Sequence, residues 1–368
     1  MATKTIPLVS VIIPMFNAAK FISQGLESLL NQTMQDFEIV VVDDGSKDNS
    51  VEVVESFKEK FGEKLYVIKF PQNTGTPGLP RNAGIQFAHG KYIAFLDSDD
   101  LYTETALEEL STLAENYQAE VVHTLSRFSL WKDVNQSVDD PKFTDMNYLM
   151  NPANWTRMRE RKDLQITEPI FLSEEMTDRI KGFVQEDTFW SAQFSIYRRD
   201  FLIDNQIFFP PLLTSEDASF TFSCTCLAKK FLIVPNTTYI RRARLDSVSN
   251  ENPSADELKT YFHKKISALK DGLKILEDKM DKMDFFKENP DYRYMVLDFF
   301  RKKHLAFSRY LRLNYGKFSM QQIGEFVKRE FQPEDADFAA FLFNKMYLQT
   351  LRINELKKRI GELENEGA

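Results

Sequence analysis

Four strand-like segments in the first hundred residues each end in side chains that can do polar chemistry. After Val9-Ser10-Val11-Ile12-Ile13 come Pro14, Phe16 and Asn17. After Phe37-Glu38-Ile39-Val40-Val41-Val42 come Asp43 and Asp44, and after Leu65-Tyr66-Val67-Ile68-Lys69-Phe70 come Asn73, Gly75, Gly78 and Arg81. After Tyr92-Ile93-Ala94-Phe95-Leu96 come Asp97, Ser98, Asp99 and Asp100. Unpaired carboxylates are costly to bury, so acids at a strand tip are solvated, cap a helix or hold a cation. Oxygen ligands suit hard cations such as Mg2+ or Mn2+, which commonly accompany phosphates.

Each candidate also has a plain structural reading. Asp43-Asp44-Gly45-Ser46 has the composition of a turn and helix cap; alternatively an acid there accepts an N–H from a nucleobase. Phe16 is either core or a ring stacked on that base. Arg81 is either a solvated helix residue or a planar fork for phosphate oxygens. Glu216 and Asp217 are either first-turn acids favoured by the helix dipole or a carboxylate tuned as a general base. In Tyr239-Ile240-Arg241-Arg242-Ala243-Arg244, strand geometry puts Arg242 and Arg244 on the same side. Such a pair is either solvated or neutralises a pyrophosphate.

The elements that must position these residues alternate. Apolar spacing predicts helices over residues 18–32 and 80–89, and another after Ser50, between the four strands. Strand–helix alternation predicts a parallel sheet covered on both faces, with ligands beyond the carboxyl ends of its strands. Pro14 is expected to stop the first strand. Residues 127–186 read as a loop-rich insertion broken by Asp139-Asp140-Pro141, Asn151-Pro152 and Glu168-Pro169. Strands return over 194–199, 231–234 and 238–241. Helix formers dominate after Ser254, over residues 261–283 and 294–313.

Composition narrows the function. The 368 residues are 43% hydrophobic, which suits a globular chain with more than one core. A net charge of −8 argues against a nucleic-acid binder held by phosphate contacts. Cys224 and Cys226 are expected as free thiols in a reducing compartment. Residues 1–5 show no leader pattern, and no apolar run reaches the ~18–20 residues of a membrane span. A cytoplasmic protein, soluble or peripheral at the inner face of a membrane, is expected.

Taken together, the ordered motifs resemble the family 2 inverting glycosyltransferases. These are Val9 to Asn17, Val42-Asp43-Asp44-Gly45-Ser46, Asn73-Thr74-Gly75 with Arg81-Asn82-Ala83-Gly84, and Asp97-Ser98-Asp99-Asp100. In the second half they are Ile196-Tyr197-Arg198-Arg199-Asp200-Phe201-Leu202, Phe209-Pro210 and Ser215-Glu216-Asp217. The likeness spans residues 8–250. It implies an α/β, GT-A nucleotide-diphospho-sugar transferase fold, a mostly parallel central sheet flanked by helices, with a C-terminal helical extension. The expected domains are residues 1–250 (a nucleotide-binding half, 1–126, and an acceptor-binding half, 127–250) and a helical region, 251–368.

The resemblance implies roles as well. Asp44, Asp43 and Phe16 would recognise the base, most often uracil, with Pro14, Asn17 and Ser98 also at the donor. Asp97 and Asp99 would hold the ribose and a divalent metal, Mn2+ or Mg2+, with Asp99 the direct ligand. Asp217 would be the catalytic base beside Glu216. Arg81, Arg242 and Arg244 would share charge with the diphosphate. Arg244 stands where many relatives carry a metal-binding His.

The implied activity is inverting transfer of a hexose-type sugar from a UDP-sugar to a glycan or lipid-linked acceptor in bacterial surface polysaccharide assembly. Competing readings are a sugar nucleotidyltransferase, which would need a Gly-rich loop and Lys near the first strand, and a non-catalytic nucleotide-sugar-binding protein. The aromatic and basic residues 299–312 could meet a membrane, although packing on the catalytic domain is the simpler role. Ile353, Leu356, Ile360 and Leu363 have spacing suited to dimerisation through the C-terminal helices.

Overall fold

The computed structural model describes residues 6–130, 142, 144–159, 166–185, 191–242 and 258–307, with residues 321, 325, 328, 329 and 355 beyond them. Its strands are β1 (Val9–Met15), β2 (Phe37–Asp43), β3 (Leu65–Lys69), β4 (Tyr92–Phe95), β5 (Leu101–Tyr102) and β6 (Val121–Thr124). They continue as β7 (Ser126–Ser129), β8 (Thr156–Arg159), β9 (Ile170–Phe171), β10 (Ser195–Arg198), β11 (Phe231–Val234) and β12 (Tyr239–Arg241).

An eight-stranded sheet runs β3-β2-β1-β4-β10-β6-β11-β9. Its first four strands are parallel, as the alternating pattern predicts, and β10 enters antiparallel between β4 and β6. Successive strand residues point to opposite faces, and both faces here are apolar. Val9, Val11 and Ile13 pack with Ile22, Leu26 and Leu29 on one face. Ile12, Val40 and Phe95 pack with Ile85, Phe201 and Phe220 on the other. Every residue of β1 and β2 is buried, which explains their unbroken apolar runs.

Pro14 lies within β1 rather than after it, paired in register with Val42. The β1–β4 ladder ends at Ile12–Phe95, and Leu96 N–H bonds the Ile12 carbonyl on that side. The N–H that Pro14 lacks therefore faces the side where no ladder bond remains to be made.

A four-stranded sheet, β5-β12-β7-β8, draws two short strands, β7 and β8, from the region expected as loops. Phe21, Leu101, Leu130, Leu149 and Ile240 form its core. The chain divides into two compact units, residues 1–245 with 274–296, and residues 246–273 with 297–368. Among the described residues no helix is long and apolar enough to cross a membrane. Both cysteines are buried free thiols.

Candidate active site

At the carboxyl ends of β1 and β2 two loops are stitched together. Asn17, in the left-handed conformation at φ 47°, donates its N–H to Ser46 Oγ at 2.9 Å. Its side-chain oxygen accepts the Lys47 N–H at 2.8 Å. Asn17 thus serves the loop, and neighbouring Phe16 is left 43% exposed on the rim. Gly45 also has a positive φ, 73°, and a Cβ there would sit 2.7 Å from the Gln72 backbone, so only glycine fits.

Asp43 accepts the Ser46 N–H at 3.2 Å, closing the turn. Asp44 accepts the Thr74 N–H at 3.0 Å and lies 3.0 Å from Thr74 Oγ1. Burial pushes the Asp44 carboxyl up, and the Thr74 bonds oppose that shift. The loop after β3 is thereby tied to the acid after β2.

The helix Gly78–Phe87 carries that loop into the centre of the site. Gly84 lets it approach β1: a Cβ there would lie 2.4 Å from Ile12 Cγ2. Asn82 exchanges two hydrogen bonds with the Phe209 backbone, both 2.8 Å. Arg81 is 3% exposed, with its guanidinium over the rings of Phe209 (5.3 Å) and Phe95 (6.0 Å).

The fork of Arg81 meets three carboxylates. Nη2 donates to Asp97 Oδ1 at 2.7 Å, and Nη1 donates to Asp217 Oδ1 at 2.9 Å, with Glu216 Oε1 3.5 Å away. The sequence reading placed this fork on phosphate oxygens. Once folded, helix Gly78–Phe87 brings it against acids 16 and 136 residues downstream.

Glu216 and Asp217 open the helix Glu216–Leu227. Both acids occupy its first turn, and both carboxylates lie against Arg81. Ser215, preceding them, is left-handed at φ 66°. The helix is buried along nearly its whole length and braced by Lys279, whose Nζ donates to the Ser219 carbonyl at 2.9 Å and to Ser223 Oγ at 2.6 Å.

Burial pushes Asp217 up to about 6, with Arg81 pulling it down and Asp97 adding to the rise. Burial and then Asp217 push Glu216 up to about 8. The Asp217 side chain is 23% exposed against 10% for Glu216, so Asp217 is the acid an incoming molecule can reach.

Asp97, at the tip of β4, spends both oxygens on N–H donors, Arg81 and Gln193 Nε2 at 3.2 Å. Its own N–H bonds Tyr239 Oη at 3.2 Å, and Tyr239 in turn donates to Asp100 at 2.8 Å. Asp100 is buried and its carboxyl is held well above the ordinary range, by burial first and then by Asp99 and Asp97. Ser98 and Asp99 lie half-buried on the same turn.

Arg242 departs from the sequence reading. It is 2% exposed, with Nε on the Asp99 carbonyl, Nη1 on Gln24 Oε1 (3.1 Å) and Nη2 on the Phe21 carbonyl (3.2 Å). It anchors the turn that carries Asp99. Arg244 and the tail residues Ile353, Leu356, Ile360 and Leu363 lie outside the described residues.

Among the described residues no group of three His, Cys, Asp or Glu side chains converges as a protein-only metal cage would. The donor set fits the other way of holding a hard divalent ion, in which one carboxylate works with phosphate oxygens of a bound substrate.

Sequence gives no pointer to Gln193, which belongs to no motif and meets Asp97 only through the sheet. Tyr239 opened the strand segment 239–244, but its bonds to Asp97 and Asp100 were not legible. Thr74 lay inside the Asn73-Thr74-Gly75 element, so its position was legible but its bond to Asp44 was not.

A doubly covered sheet with acids and an arginine converging at its strand ends is the arrangement that the resemblance of the motifs implies. The chain belongs to the family described as Glycosyl transferase family 2, which matches residues 10–200, and it is a glycosyltransferase. It is 30% identical over 266 residues to the uncharacterized glycosyltransferase EpsJ of Bacillus subtilis, covering 71% of this chain and 70% of that one. It is 35% identical over 175 residues to a poly(ribitol-phosphate) beta-glucosyltransferase of Bacillus spizizenii, covering 44% of this chain and only 27% of that protein. The crystal structure of Staphylococcus aureus TarS residues 1–349 has the same fold, with a TM-score of 0.59 and 21% identity over 96% of this chain and 92% of that one.

Proposed function

We propose that this glycosyltransferase moves a hexose-type sugar from a UDP-sugar to an acceptor hydroxyl with inversion, in the assembly of a bacterial surface glycan. One observation carries the reading. Arg81 joins Asp97, at the donor-side strand tip, to Asp217, whose side chain is more exposed than that of its neighbour Glu216. The S. aureus TarS fragment of like fold was crystallised with UDP-GlcNAc, which supports a UDP-sugar donor.

The chemistry needs three tasks performed together. The base must be held, a task that would fall to the exposed ring of Phe16 and to Asp43 and Asp44. The leaving diphosphate gathers negative charge as the glycosidic bond breaks. Asp99 with phosphate oxygens would hold a divalent ion, which when bound supplies positive charge to that leaving group. Finally the acceptor hydroxyl must lose its proton.

Asp217 takes that proton as the oxygen attacks the anomeric carbon from the face opposite the diphosphate. A carboxyl raised to about 6 is mostly ionised at neutral pH and more basic than an ordinary one. Glu216 is pushed up further, by burial and then by Asp217, so of the two acids it is the one that more readily keeps a proton. Arg81 keeps the base ionised and aimed.

Incubating the protein with a panel of nucleotide sugars and Mg2+ or Mn2+ tests this, with release of free nucleoside diphosphate as the readout. Slow hydrolysis of one or more UDP-hexoses is expected. Binding without release from any donor and acceptor tried would make the protein a non-catalytic binder.

A further inference from the structure

Arg81 joins Asp97 to Asp217 through its two terminal nitrogens. The turn Ala192–Phe194 serves both acids as well: the Ala192 backbone N–H helps to hold the Asp217 carboxyl down, and Gln193 Nε2 donates to Asp97 Oδ2 at 3.2 Å.

Asp97 fixes which way the Gln193 amide faces. An ionised Asp97 only accepts, so the amide must turn its NH2 group to it; the reverse orientation would press two oxygens together. Gln193 Oε1 is then committed to the other side, where it is buried with no hydrogen-bond partner. A buried acceptor left unmatched is costly and calls for an explanation in a native structure.

We propose that Gln193 Oε1 accepts a hydrogen bond from a hydroxyl of the transferred sugar, making Gln193 a specificity-determining residue of the donor site. This rests on the UDP-hexose reading above. The part of such a donor that lies between its diphosphate and the base is the hexose itself. A neutral amide oxygen is matched by a hydroxyl donor and repelled by phosphate. A divalent ion would be drawn first to the Asp99 carboxylate. The amide also adds no charge to a cluster in which three carboxylates already share one guanidinium.

The test uses the full chain and whichever of UDP-glucose, UDP-galactose and their N-acetylamino forms it hydrolyses fastest. Wild type, Gln193→Met and Gln193→Glu are compared on that donor and on its singly deoxygenated analogues, with UDP affinity as the control for an intact fold. Wild type is expected to lose about tenfold in kcat/KM on one deoxy analogue, the size of a hydrogen bond in a desolvated site. Gln193→Met should lose about the same on the parent donor and no longer distinguish that analogue, while UDP affinity stays within about twofold. Gln193→Glu keeps an acceptor oxygen and loses the bond to Asp97, so it should still discriminate.

An equal loss of UDP and UDP-hexose affinity in Gln193→Met, or discrimination that survives in it, would overturn the inference and leave Gln193 as a support for Asp97. A wild-type protein that hydrolyses none of the four donors rejects the UDP-hexose reading itself, and the role of Gln193 with it.

Discussion

Arg81 and Arg242 are almost equally buried, at 3% and 2% exposure, yet their surroundings differ in kind. Arg81 faces Asp97, Asp217 and Glu216. Arg242 meets two backbone carbonyls and an amide oxygen, with its guanidinium over Phe21. A buried cation on neutral acceptors fixes the shape of a loop. A buried cation on carboxylates also decides which of them hold protons. The first arrangement supports the site from outside, and the second belongs to its chemistry.

The comparison can be broken from the Arg81 side first. Replacing Asp217 with Asn should cut transfer by ~10²–10⁴, the usual span for a general base, while donor affinity measured by calorimetry survives. Equal loss of donor affinity would take the base role away from Asp217. Replacing Arg81 with Met should cost about 10² in kcat and move the acid limb of the pH–rate profile upward. The direction follows from the cluster: Arg81 pulls Asp217 down, so without it the base stays protonated to higher pH. In wild type, activity should rise with pH through the region near 6, where Asp217 ionises. An acid limb that does not move in Arg81→Met would separate the arginine from the base.

Phe16 sharpens the contrast because it lies in the site without belonging to the charged cluster. Phe16→Ala should weaken UDP binding about tenfold, within the usual range for a base stacked on an aromatic ring, and leave the pH profile in place. Its 43% exposure means that little stability is at stake. Arg242→Met should have the smallest effect on catalysis, less than about threefold in kcat. It should instead lower unfolding stability by about 1–3 kcal/mol, the cost of leaving buried carbonyls unmatched, read as a shift in the denaturant midpoint. A large kcat loss there would place Arg242 with Arg81.

Much of this was legible along the chain, because strand ends in a parallel sheet share one rim. Asp44, Asp97 and Asp99 follow apolar runs directly, so placing the runs places the acids. The long-range partners were not legible. Arg81 meets Asp217 across 136 residues, and nothing in either motif says that the two face each other. Pro14 misled for a local reason: a proline ends a strand only where its missing N–H is needed, and that depends on where the neighbouring strand stops.

Sequence by itself determined the order of strands and helices in the first hundred residues, the acids at their tips and the family to which the chain belongs. These follow from patterns of apolar and turn-forming residues that act over a few positions. Tertiary structure alone decided which charges meet. Ion pairs depend on distances of a few ångströms between segments far apart in the chain, and burial by those segments sets whether a carboxyl holds its proton.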